Sequence, residues 1–177
     1  KYLDDKAMSQ PAAAIYMAAK EISRLSVHAG KMIGAMKNAI EKRNITDIRD
    51  KYVDEHDKVK ELQNIIVDFI TKLISSGNLT EKQAEQAAGL MVVSNNIERI
   101  ADRCDEVDGL YKKILDNGQL LSDAAIADLT ACMDMTEKLF GESMNAIITG
   151  DSETPDKVAA DKKKIRKLQR QAGKAHL

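Results

Sequence analysis

Apolar side chains recur along this chain at steps of three and four residues and nowhere alternate for long, a pattern that predicts helices with one buried face. The first predicted helix opens at Pro11, a residue whose missing N–H is harmless in a first turn. Its stripe is Ile15, Ala18, Ile22, Leu25, Ala29, Met32, Ile33, Met36 and Ile40, and it ends before Asn44. The second, from about Thr46 to Ser76, carries Ile48, Tyr52, Val59, Leu62, Ile66, Phe69, Ile70 and Leu73, and Ser75-Ser76-Gly77-Asn78 suits its exit. Thr80 and Gln83 form a capping box for the third, whose stripe of Leu90, Val93, Ile97, Ile100, Cys104, Val107, Tyr111 and Ile114 runs to Asn117-Gly118. A fourth starts from a Ser122 cap, carries Ile126, Leu129, Met133, Phe140, Met144 and Ile147, and closes at Gly150. Thr154-Pro155 then opens a fifth with Val158, Ile165, Leu168 and Ala172.

An internal repeat orders these helices. KMIGAMKNAI at 31–40 and KLFGESMNAI at 138–147 share Lys, Gly, Asn, Ala and Ile at an offset of 107. One helix later, Glu55-x3-Val59-x2-Leu62-Gln63 returns as Asp161-x3-Ile165-x2-Leu168-Gln169 at an offset of 106. A duplicated helical unit predicts an all-α chain of tandem three-helix bundles. Residues 1–10 form a lead-in segment, 11–118 the first bundle, and 119–177 the first two helices of a second, whose last helix falls beyond Leu177. A lone helical hairpin has too little core to be stable, so the fourth and fifth helices are expected to pack on the first bundle or on another copy, through a face that includes Ile165 and Leu168.

Composition narrows the function classes. With 27 basic against 28 acidic side chains, the chain lacks the net basic surface that drives general nucleic-acid binding. No run approaches the roughly 18 apolar residues of a membrane span, and Cys104 and Cys132 are too few for a disulfide framework. A reducing compartment and a soluble segment are expected. The chain begins at Lys1 without an initiator Met, as a piece of something longer would. Both cysteines and all eight methionines read as packing, and His28, His56 and His176 share no metal-like spacing. No Gly-rich phosphate loop or nucleophile elbow is present. The run KKKIRKLQR at 162–170 is a basic face, solvated or turned toward acidic headgroups or an acidic partner.

Helical phase singles out a few carboxylates. Glu55 falls inside the core stripe of the second helix, and an isolated charge there costs several kcal/mol, so it requires a partner such as Arg99, a lysine or a metal. Asp161 holds the same phase on the fifth helix. Asn95, Glu98, Asp102 and Asp105 form a polar stripe beside the core face of the third. Glu98 and Asp102, four apart, repel one another unless a cation or a cross-helix Arg lies between them. Oxygen-rich sets of this kind suit hard cations, or iron and manganese.

Asn96-Ile97-Glu98-Arg99-Ile100-Ala101-Asp102 resembles the E-R-I-G-D signature of PhoU-type domains. Tyr2-Leu3-Asp4, Pro11-Ala12 and Lys20-Glu21-Ile22 are similar to the opening of the PhoU-like domain that follows the membrane part of bacterial sodium/phosphate cotransporters, and Gln119 to Leu129 with His176-Leu177 fit that pattern. The resemblance implies two tandem three-helix bundles and a non-catalytic role in regulating phosphate uptake. It places the chain in the cytoplasm at the inner face of the membrane, on a phosphate transporter of the same or a separate chain. It also implies a metal cluster on acidic E(D)-x-x-x-D motifs, matched here by Glu98 and Asp102, with Glu55 as the expected helper. Ala101 replaces the usual Gly, and Lys60 stands where the second helix often has Asp. Two other classes compete: a carboxylate-bridged metal-binding bundle or enzyme, which lacks the Glu-x-x-His motif of di-iron proteins, and a structural spacer, against which the loops at 44–46, 77–80, 117–121 and 150–154 fold the chain back.

Overall fold

The computed structural model describes residues 2–44, 49–149, 161, 163–168, 170 and 171. All regular structure among them is helical: a 3-10 turn Asp5–Ser9, then α1 (Pro11–Lys42), α2 (Arg49–Ser75), α3 (Glu81–Asp116) and α4 (Asp123–Thr149). Residues 161, 163–168, 170 and 171 are helical as well. The expected starts at Thr46 and Thr154-Pro155, with Ile48, Val158 and Ala172, lie outside the described residues.

The helix ends follow local chemistry. Both arms of the capping box form, Gln83 N–H donating to Thr80 Oγ1 at 3.3 Å and Thr80 N–H to Gln83 Oε1 at 3.0 Å. Ser122 Oγ accepts from Ala125 N–H at 3.1 Å and starts α4. Gly77 and Gly118 take φ of 70° and 67° beyond α2 and α3, the left-handed exit that glycine adopts without a Cβ clash. At the end of α1 that conformation falls on Arg43, whose guanidinium pairs with Asp123.

The chain forms two compact units, 1–29 with 54–102 and 30–53 with 103–177, a grouping different from the chain-order division at 118–119. In the first unit, Ala14, Ala18, Ile22, Leu25 and Ala29 of α1 are buried, with Val59, Leu62, Ile66, Phe69, Ile70 and Leu73 of α2. The α3 contribution differs from the expected stripe. Ala87, Ser94, Ile97 and Ala101 are buried, and Cys104 and Tyr111 continue the line in the second unit, whereas Ile100 is half-buried and Val107 exposed. The buried face of α3 is therefore turned by about 50° from the hydrophobic stripe. Small side chains at 87, 94 and 101 admit close helix approach, so shape and not hydrophobicity selects the face.

Ser94 is fully buried, and its Oγ has no hydrogen-bond partner among the described residues. Ser94→Ala removes an unsatisfied hydroxyl and adds helix propensity, and should stabilise the protein by about 1 kcal/mol. A higher urea midpoint is the expected result; a lower one would mean that the hydroxyl has a partner.

In the second unit α1 and α4 pack on each other at the edges of the two repeated segments. A methyl group at Gly30 would sit 3.7 Å from Phe140 Cε1 and one at Gly34 3.6 Å from Glu137 Oε1, while Lys37 pairs with Asp134 and lies 3.8 Å from Glu137. In repeat register 137 is the counterpart of 30, and 140 of 33. Residue 34 thus meets the counterpart of 30, and residue 30 that of 33, as the two helices run antiparallel. Ala39 and Tyr111 form a small core with Leu115 and Leu121. The α4 stripe is covered less well: Met144 is buried, Ile126, Met133 and Phe140 are half-buried, and Leu129 and Ile147 are exposed. Ile165 and Leu168 are half-buried.

Candidate functional site

Successive residues of a helix point about 100° apart, and on α2 this sends Glu55 and His56 to different neighbours. Glu55 Oε2 lies 2.5 Å from His28 Nδ1 of α1, with both side chains about one-sixth exposed. Lys58, one turn along, is 3.8 Å from Glu55 Oε1 and also pairs with Asp54. His56 Nε2 lies 3.3 Å from Asp102 Oδ1 of α3, and Lys60 Nζ reaches the same oxygen at 3.8 Å. Further along, Gln63 Nε2 donates to Asn95 Oδ1 at 2.9 Å. Polar seams therefore join α2 to both partners inside the first unit.

The α1–α2 seam widens into a groove of about 320 Å³ lined by Glu21, Arg24, His28, Lys58, Glu61, Leu62 and Ile65. Glu21 is fully buried; its Oε1 lies 2.8 Å from Arg24 Nη1, and its Oε2 accepts the Tyr2 N–H at 2.7 Å. The lead-in segment is thereby pinned to α1. A second cavity, about 440 Å³, lies between that segment and α2, lined by Leu3, Asp4, Asp5, Ile65, Asp68, Phe69 and Lys72.

The three residues expected to hold a cation are not assembled. Glu98 is half-buried on α3, Asp102 turns to His56 and Lys60, and Glu55 turns to α1. No group of three or more His, Cys, Asp or Glu side chains capable of holding a metal occurs among the described residues. The residues present do not fit the cluster that the resemblance implies, since the chain's own ammonium and imidazole occupy the side of Asp102 that faces α2. Arg99, the other expected partner of Glu55, is exposed. Adding Mg²⁺ or Mn²⁺ is accordingly expected to leave the melting temperature unchanged. A rise that grows with metal concentration would show a site binding the folded state.

Sequence spacing gives no sign of the two histidines. His28–Glu55 is separated by 27 residues and His56–Asp102 by 46, so neither pair forms a local motif. Helical phase offers the available hint: His28 precedes the stripe residue Ala29, and His56 lies one turn before Val59. The polar stripe of α3, which could have been a solvated face, meets α2 through Asn95 and Asp102 and is exposed at Asp105.

The acid of the second unit repeats part of this scheme. Asp161, the counterpart of Glu55, is buried, with Lys164 Nζ at 2.6 Å and Lys138 Nζ at 3.0 Å. Lys164 is the counterpart of Lys58 and Lys138 that of Lys31. Hydrogen bonds from Lys164 and Lys138 hold the Asp161 carboxyl below its ordinary pKa. A depressed folded pKa contributes stability that is present above the unfolded value, near 3.9, and is lost as pH falls through the folded one. Asp161→Asn should therefore lower the melting temperature at neutral pH, by an amount that shrinks as pH falls below about 3.9 toward the folded pKa. A penalty unchanged at acid pH would exclude the ionic origin.

Neither thiol is set up for nucleophilic chemistry. Burial pushes Cys104 up to about 11, and burial together with Asp128 raises Cys132. No helix of the described residues is long and apolar enough to cross a membrane. Compared with known proteins, residues 22–108, from within α1 to within α3, match the family described as PhoU domain. No curated protein and no solved structure matches the chain significantly.

Proposed function

We propose, from the premise that residues 22–108 are a PhoU domain, that this chain regulates phosphate transport without catalysing a reaction, as part of a sodium/phosphate cotransporter or docked on one at the cytoplasmic face of the membrane. The family links the domain to the regulation of phosphate transport. The observation that supports a contact-driven role here is the pair of polar seams on α2. Through His28–Glu55 and His56–Asp102, α2 is coupled to α1 and α3 at adjacent residues. A partner that displaces α1 along its seam pulls on Glu55, the neighbour in sequence of His56 in the α2–α3 seam, and part-buried polar pairs resist being left half-made. That coupling would carry a signal from one face of the first unit to another.

The test is phosphate uptake in the native host after removal of the segment that encodes this chain. Uptake of labelled phosphate should no longer be curtailed when external phosphate is abundant. Identical uptake with and without the segment, at both scarce and abundant phosphate, would refute the regulatory reading.

A further inference from the structure

The terminal helical residues carry a surface that the regulatory reading does not use. Buried Asp161 and half-buried Ile165 and Leu168 point to one side, within an arc of about 60° at 100° per residue. Lys138 of α4 and Lys164 bind the Asp161 carboxylate and fix that side onto the second unit. Lys163, Arg166, Lys167 and Arg170 point the opposite way, within an arc of about 100° and over about 10 Å of helix. All four are exposed, and none has an ion-pair partner among the described residues. Of the chain's 27 basic residues these are four, and the remaining 23 stand against 28 acidic ones. The stripe is thus a local positive face on a chain that is otherwise net negative.

We propose that the stripe Lys163, Arg166, Lys167 and Arg170 docks on an anionic lipid surface. A protein partner would need an anchor. Interfaces between proteins concentrate their energy in buried aromatic and apolar residues and are depleted of lysine. This face has no aromatic, apolar or acidic side chain between its cations, and its neighbouring apolar residues face the chain itself. Mobile headgroups need no such anchor, and juxtaposed basic residues attract them additively, by about fivefold per residue near the surface. Attachment through charge alone, with nothing inserted, must also be reversed by salt, which shortens the Debye length to a few ångströms. The inference goes beyond the proposed role in phosphate transport and holds whether or not that role does.

Flotation of the full chain with phosphatidylcholine vesicles containing about one-third phosphatidylserine tests it. The chain should bind these at low salt, release at high salt, and ignore pure phosphatidylcholine. A quadruple variant, K163Q, R166Q, K167Q and R170Q, should lower partitioning at least tenfold. An equally charged control, K6Q, K42Q, K82Q and K113Q, which alters exposed lysines elsewhere, should keep most of it. Circular dichroism of both variants checks that they fold. Failure to bind the anionic vesicles, or an equal loss in the control, overturns the proposal. Retention on polyglutamate without vesicle binding also overturns it and assigns the stripe to an acidic protein.

Discussion

Ile66→Ala should cost about 3 to 4 kcal/mol of folding stability, whereas Ile100→Ala should cost less than half of that. Ile66 is fully buried in the line Val59, Leu62, Ile66, Ile70, Leu73 of α2, between turns that are themselves inaccessible to solvent. Truncation there removes transfer energy and leaves a cavity that close-packed neighbours refill only in part, the conditions under which Ile→Ala costs 2 to 5 kcal/mol, so about the middle of that range is expected. Ile100 belongs to the apolar pattern of α3 as clearly as Ile97 does, yet it is only half-buried. Its methylenes already meet water, and their loss opens a surface notch and not a sealed void. Urea midpoints of the two variants decide between the readings. Equal losses would restore the hydrophobic stripe as the packed face of α3 and reject the turned face occupied by Ala87, Ser94 and Ala101.

That contrast marks how far the chain could be read from its residues. On α1 and α2 most of the stripe is made of large apolar side chains on one face, so periodicity and burial coincide from Ala18 to Ile40 and from Val59 to Leu73. The capping box at Thr80, the Ser122 cap and the glycine exits depend on three or four consecutive residues, and local chemistry settles them without reference to the rest of the fold. On α3 the pattern loses its force. Alanine and serine contribute little to a hydrophobic stripe but permit a close approach that bulky residues prevent, and the gain from that approach resides in the partner helices. On α4 the pattern shows which residues could be buried but not what covers them. The site was legible to a similar depth. Phase identified Glu55 and Asp161 as carboxylates that needed partners, and both have them. The partners themselves depend on how the helices are turned about their axes, which is why His28 took the place expected of Arg99.

Arg24→Ala should destabilise the first unit by about 2 to 3 kcal/mol, and adding Glu21→Gln to it should recover at least half of the loss. Glu21 is the fully buried carboxylate of α1, and its two oxygens divide their work: Oε2 holds the Tyr2 N–H at 2.7 Å and Oε1 faces the Arg24 guanidinium at 2.8 Å. Removing one partner of a buried ion pair typically costs 3 to 5 kcal/mol, roughly, because the remaining charge has lost water and gained nothing in return. Arg24 is 39% exposed, so water can follow its side chain out of the groove and relieve part of that penalty, which brings the expected loss below the full range. Glutamine at 21 carries no charge to strand but keeps a carbonyl oxygen for Tyr2, so the double variant loses the pair without retaining its uncompensated half. Glu21→Ala separates the remaining contribution, since it also releases the lead-in segment from α1. Faster proteolysis near Tyr2 in Glu21→Ala, with slow cleavage retained in Glu21→Gln, is the accompanying result. If Arg24→Ala proves neutral, or if Glu21→Gln adds its own loss to it instead of offsetting it, the carboxylate is held by the backbone hydrogen bond alone and Arg24 is an ordinary surface residue.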